Sequence, residues 1–203
     1  MVPYILFGIT YAFAAAVQPG PLQTFLISQT LRRGWKRTLP AALAPLLSDG
    51  PIIVVVLLLL SRIGDGFFQF LHIGGGLFLL YLACSSLNSW RHFELNRLDE
   101  EESGQKTWLS AAVVNFLNPN PYIGWSLVMG PIFLKGWQET PLHGISMIVA
   151  FYITMVVSLA AIIFVFAFAR ELGPRINRIS LGLSSLALAL FGIYQLGLGF
   201  KIV

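Results

Sequence analysis

A proline pair occurs twice in this chain, each time inside a stretch apolar enough to cross a membrane. The first copy is Pro19-Gly20-Pro21, and the second, Pro119-Asn120-Pro121, follows one hundred residues later. Proline lacks a backbone N–H and clashes with the preceding turn, so each pair breaks the helix that contains it. Lipid tolerates a broken backbone only where protein buries it or where it lines a wet cavity. Each break is followed by Gly-Trp-x-x-Thr: Gly34, Trp35 and Thr38, then Gly136, Trp137 and Thr140. Interrupted helices at matching positions of two halves point to a binding site at mid-membrane, the arrangement of a transporter.

Composition agrees. Of 203 residues, 56% are hydrophobic and 11% charged, and the mean hydropathy is +0.76. Several apolar runs exceed the roughly 20 residues that a helix needs to cross a bilayer. The net charge of +4 does not indicate nucleic acid, because the basic residues lie in loops beside the spans. There they suit anionic lipid headgroups and set orientation. No Lys or Arg precedes the first apolar run, so a cleaved leader is not expected and this segment is expected to stay as a span. The single cysteine, Cys84, rules out a disulfide within one chain and reads as a small apolar residue of the third span.

Six spans are predicted: about Val2–Leu31 with a break, Leu39–Leu60, Phe67–Trp90, Trp108–Leu134 with a break, Leu142–Ala169 and Ile179–Phe200. A polar segment, 91–106, separates two repeats (about 1–98 and 107–203) of a single transmembrane domain and carries the acidic run 99–102. Ten basic residues fall in loops on one side of the membrane and three on the other. Lys and Arg in short loops favour the cytoplasm, so both termini are expected outside a cell membrane of the inner or plasma type. Three spans per half is an odd number, so the halves sit upside down to one another. The expected fold is therefore an all-α polytopic membrane protein built as a 3+3 inverted repeat. Four of the five tryptophans lie near span ends, as in interfacial aromatic belts. Trp125 is the exception, mid-span, and reads as packing.

At the first break, Gly20 suits a helix cap and Pro21 the first position of a restarted helix; Asn120-Pro121 is the corresponding signal at the second. Free N–H groups are expected around Leu22 and Gln23, and around Tyr122 and Ile123, where a carboxylate would be welcome. The carbonyls freed ahead of each break suit an ammonium or cation. A zwitterionic amino acid carries both partners, while two kinks without a ligand are the simpler alternative. Gln18, Gln23, Thr24 and Ser28 supply polar groups near the first break, and Asn115, Asn118, Asn120, Tyr122 and Ser126 near the second.

Asp49 is the one acidic residue deep in a span, about 15 Å from either end at ~1.5 Å per residue. A lone carboxyl at that depth is costly when ionised, which suits a group that takes a proton on one side and releases it on the other. Ala41, Ala44, Pro45 and Ser48 share its helical face and are small enough for close helix contact. A purely structural Asp49, bonded to a neighbouring helix, is the alternative. His72, His92 and His143 are dispersed, so no metal site is indicated. No nucleophile or phosphate-loop motif is found, so the sequence calls for no enzyme activity and no cofactor. Gly74, Gly75 and Gly76 read as helix-packing residues.

Taken together, these residues resemble the LysE/RhtB family of amino-acid exporters over essentially the whole chain. The resemblance rests on Pro19-Gly20-Pro21, Arg33-Gly34, Asp49, Gly75-x5-Tyr81-Leu82 and Asn115-x2-Asn118-Pro119. It implies secondary active export of amino acids or similar small metabolites across the cytoplasmic membrane, driven by an ion gradient. The candidate substrate- and ion-binding site, read from the residues, comprises Asp49, Ser48, Gln18, Gln23, Pro19, Gly20, Pro21, Pro119, Asn120, Pro121, Asn115 and Asn118. The implied partners are a small-molecule substrate, a proton or other coupling ion, and membrane lipid; a homo-oligomer is compatible. Where the family often has glycines ahead of the aspartate, this chain has Thr38, Ala44 and Ser48, with Pro40, Pro45 and Pro51 added. An exporter of metal ions or another small solute is the alternative, and a thiol-redox or hydrolytic membrane enzyme a more distant one.

Overall fold

A backbone in lipid must satisfy its own hydrogen bonds, and the described residues do so with helices. The computed structural model describes residues 1–18, 20–59, 65–91, 104–171 and 174–201, with no strand among them. Pro19 and most of the polar segment with its acidic run lie outside these residues.

The first apolar stretch forms α1 (Val2–Val17) and α2 (Pro21–Arg33), which meet at 61°. After the short α3 (Trp35–Thr38), a 3₁₀ turn over Leu39–Leu43 carries Pro40 at its start and leads into α4 (Ala44–Leu59). Then come α5 (Asp65–Arg91) and α6 (Gly104–Phe116), which ends at the second break. Beyond it the helix continues as α7 (Pro119–Gly124), a π-bulge over Trp125–Met129, and α8 (Gly130–Glu139). The long helices α9 (Pro141–Glu171) and α10 (Pro174–Gly199) complete the bundle.

Among the described residues, three helical stretches are long and apolar enough to span: Trp35–Val56, Pro141–Arg170 and Arg178–Gly199; the bent pair α1–α2 makes a fourth. The large apolar side chains left exposed, such as Phe13, Leu127, Ile153, Val157 and Leu183, would be an aggregation hazard in water and are the natural surface in lipid. Cys84 is exposed on α5.

Packing joins distant parts of the chain. The most extensive contacts are α5 against α10 and α1 against α9, with α4 and the 3₁₀ turn packed on α6. Gly76 and Gly192 let the backbones of α5 and α10 approach closely, since a Cβ on Gly76 would lie 2.9 Å from the Gly192 carbonyl oxygen. This is the packing role that the sequence suggests for the glycines of this span. Gly34 ends α2 at φ +82, a region open to glycine, and a Cβ there would strike the Arg170 guanidinium. The ends of α2 and α9 therefore share one end of the bundle. At the other, Tyr4 stacks on His143 with centroids 5.0 Å apart.

The two Gly-Trp-x-x-Thr copies differ in conformation. Gly34 interrupts a helix, whereas Gly136 lies buried inside α8 against Tyr4. Thr38 is buried and bonds back to the Gly34 carbonyl at 3.0 Å, while Thr140 is exposed.

Candidate functional site

The first break restarts as the sequence predicts. Gly20 caps α2 in extended backbone and Pro21 takes the first helical position. Of the carbonyls freed at the end of α1, two are claimed by the chain itself. Gln23 Nε2 donates to Ala15 O at 3.0 Å and to Ala16 O at 3.1 Å, so these are not left for an ammonium. The N–H groups of Leu22 and Gln23 have no side-chain cap and no partner among the described residues.

The second break restarts two residues earlier than expected. Asn118 is the cap and Pro119 the first helical residue, because an Asn side chain reaches the N–H two residues on and proline fits the first turn. Asn118 Oδ1 accepts from Asn120 N at 3.1 Å, and neither Pro119 nor Pro121 has an N–H. Tyr122 and Ile123 become the fourth and fifth helical positions, where the intrahelical ladder has begun. The expected anion-binding end of this half-helix is thus closed, and of the two breaks it is the first whose donors lack a partner among the described residues. Tyr122 also donates its hydroxyl to Phe116 O at 3.0 Å, serving α6 as Gln23 serves α1.

Asp49 is 3% exposed. Asn115 Nδ2 donates to its Oδ1 at 2.9 Å and to Ser48 Oγ at 2.7 Å, and Tyr152 donates to its Oδ2 at 3.3 Å. Ser48 itself donates to Ala44 O at 3.1 Å. These partners are neutral, and they tie α4 to both α6 and α9. The small face is buried as predicted, with Ala41 and Ala44 fully covered, while Leu43, Leu46 and Leu47 point outward.

The two breaks and Asp49 meet at one cavity of about 110 Å³. Gln18, Gly20 and Gln23 reach it from the first break, and Asn118, Asn120 and Pro121 from the second; Asp49 and Asn115 lie between them. Pro21 and Pro119 are buried beside the cavity without lining it, and Ser48 acts behind Asp49 through Asn115. Pro19 lies outside the described residues.

Sequence reasoning overlooked the cavity's aromatic wall. Tyr11 lines it from α1, and Phe151 and Met155 from α9, with Tyr152 bonded to Asp49 from the same helix. Trp125 also lines it, 3% exposed and edge-on to Phe151. Tyr11 and Tyr152 sit mid-span like Trp125, away from the interfacial belts, and that displacement was the available signal. Gly124 opposes Tyr11 so closely that a Cβ there would lie 2.5 Å from the tyrosine hydroxyl.

A family model described as LysE type translocator matches residues 13–200. The chain belongs to that family. No curated protein and no solved structure matches it. Membership makes this translocator a multi-pass membrane exporter of small solutes such as amino acids, and a transporter rather than an enzyme.

Proposed function

We propose that this translocator exports amino acids or closely related small zwitterions by alternating access, with Asp49 carrying the coupling proton. The observation behind this reading is the cavity where both helix breaks and a buried carboxyl converge. Its polar groups are complementary to a zwitterion. The open N–H groups at the start of α2, with the positive end of the helix dipole behind them, suit the carboxylate. Asp49 and the amide oxygens of Asn118 and Asn120 suit the ammonium. The small volume and the aromatic wall favour a compact solute.

The packing also supports six spans arranged as a 3+3 inverted repeat. Such a repeat relates span one to four, two to five and three to six. The packing of α1 on α9 then has its counterpart in α6 on α4, and α5 against α10 is its own counterpart. With ten basic residues on the Gly34 side, that side is the cytoplasm and both termini face outward.

Asp49 can couple transport to a gradient because its neutral partners accommodate either protonation state. Asn115 and Tyr152 donate to the carboxylate, and a carboxylic acid can turn its own proton into the cavity. Efflux of labelled amino acids from proteoliposomes, measured across a panel with and without a proton gradient, tests the proposal. Gradient-dependent efflux of some panel members is expected, and Asp49→Asn should abolish the dependence. Asp49→Asn transport at the original rate and with the original gradient dependence would remove the coupling role.

A further inference from the structure

A second cavity, of about 280 Å³, lies between α2, α5 and α6, nearer the Gly34 end of the bundle, and shares no lining residue with the central one. It is the larger of the two, so a solute that fits the central cavity also fits here. The same pair of helices lines both. On α2, Leu22 and Gln23 line the central cavity, and Phe25 and Gln29 the second; on α6, Asn115 and Asn118 line the central cavity, and Thr107 and Ser110 the second. At ~1.5 Å per residue, Gln23 and Gln29 stand about 9 Å apart along α2, and Asn115 and Ser110 about 7.5 Å along α6.

Apolar side chains fill that interval. Residues three and four apart share a helical face, and the face of α6 with Thr107 and Ser110 at one end and Asn115 and Asn118 at the other carries Ala111 and Val114 between them. Phe25 and Leu26 take the middle place on α2. All four are buried in a single apolar cluster. A hydrophobic constriction between two polar chambers excludes water and closes a path until the helices part. Phe25 is 1% exposed and sits one turn from Leu22, so it stands at the inner end of the second cavity.

The surroundings favour parting at this seam. The Ser28 and Ser86 hydroxyls lie 2.8 Å apart, and Ser185 donates to Ser86 Oγ at 2.7 Å, which ties α2 to α5 and α10, while the seam with α6 at this level is built of apolar residues. Gln29 is 5% exposed and Thr107 2%, yet neither Gln29 Oε1 nor Thr107 Oγ1 has a partner among the described residues. A buried polar atom left unsatisfied is costly, and parting of α6 from α2 would hydrate both.

We propose that the second cavity is the cytoplasmic vestibule of the transport path and that Phe25 is the side chain that closes it off from the central cavity. This assignment rests on the orientation and the export reading given above, and adds the route by which solute enters.

In membrane vesicles, and in a chain with Cys84→Ser, single cysteines at Ser110 and Ala15 report the two chambers to a membrane-impermeant maleimide; Ala15 lines the central cavity. From the Gly34 side, Ser110→Cys should label readily and Ala15→Cys slowly. Adding Phe25→Ala should raise Ala15→Cys labelling from that side about tenfold or more, the scale on which emptying a packed aromatic site shifts an equilibrium. Labelling from the other side should not rise. Phe25→Leu, which keeps the core apolar, should give a smaller rise and serves if the alanine variant does not fold. Labelling needs no substrate, so absent amino-acid efflux alongside a Phe25-dependent rise would refute the solute and uphold the vestibule. Ala15→Cys labelled as fast as Ser110→Cys before any change at Phe25 would overturn the proposal. So would an unreactive Ser110→Cys on the Gly34 side, or a rise that is absent or equal from both sides.

Discussion

Asn115 holds the central carboxyl and the Ser48 hydroxyl with one amide nitrogen. Asn115→Leu removes this donor from Asp49 Oδ1 and from Ser48, and a buried acceptor left short of a donor costs about 1–3 kcal/mol. Unfolding of the detergent-solubilised variant should report a loss of that size, together with transport that falls more steeply than stability. Tyr152→Phe should cost less, because its bond to Asp49 is 3.3 Å long, and the same unfolding measurement ranks the two. At the far end of the bundle, Glu139 is exposed and held below the usual carboxylate range, first by the Tyr4 hydroxyl and then by His143. A depressed carboxyl contributes stability above its unfolded value and loses it as pH falls through the folded one. Thermal unfolding should therefore shift downward as pH drops below about 4.3, the ordinary Glu value, and Glu139→Gln should flatten that slope. Equal slopes would show that this contact contributes nothing.

Both breaks close part of their own backbone with a side chain from just beyond the prolines, and they do so differently. Gln23 reaches back to two carbonyls of α1, while Tyr122 takes one carbonyl of α6. Asn118 caps the restart of α7, so Asn118→Ala should destabilise by about 1 kcal/mol and Asn118→Asp should restore most of it. Equal unfolding midpoints for the two variants would argue against the cap. That two helices break was legible from proline chemistry alone. Which residue restarts the second was not. Pro119 and Pro121 are both acceptable near a helix start, and the choice falls to the Asn118 cap, a competition between neighbouring side chains. The same competition closed the start of the second half-helix.

For the whole molecule, orientation is the property on which the directional reading depends. In a variant whose Cys84 is replaced, cysteines at Lys36 and Glu139, both exposed, should be labelled from opposite sides of the membrane. An impermeant thiol reagent on intact cells should reach Glu139→Cys at once and Lys36→Cys only after permeabilisation. Labelling of both from one side would refute the inverted arrangement. Periodicity along the second span placed Ala41, now in the 3₁₀ turn, on one face with Ala44, Ser48 and Asp49 of α4, since helical spacing alone decides which residues align. It carried no information on what that face meets. Asn115 and Tyr152 lie 66 and 103 residues from Asp49, and only the docking of α6 and α9 on α4 brings them together. Hydropathy, proline placement and the lone midplane acid by themselves determined a helical membrane protein with two broken helices, because lipid leaves a polar backbone few alternatives. The tertiary structure decided which broken end stays open, which neutral groups hold Asp49, and that an aromatic wall closes the cavity. Those outcomes depend on contacts between distant segments, which local chemistry does not encode.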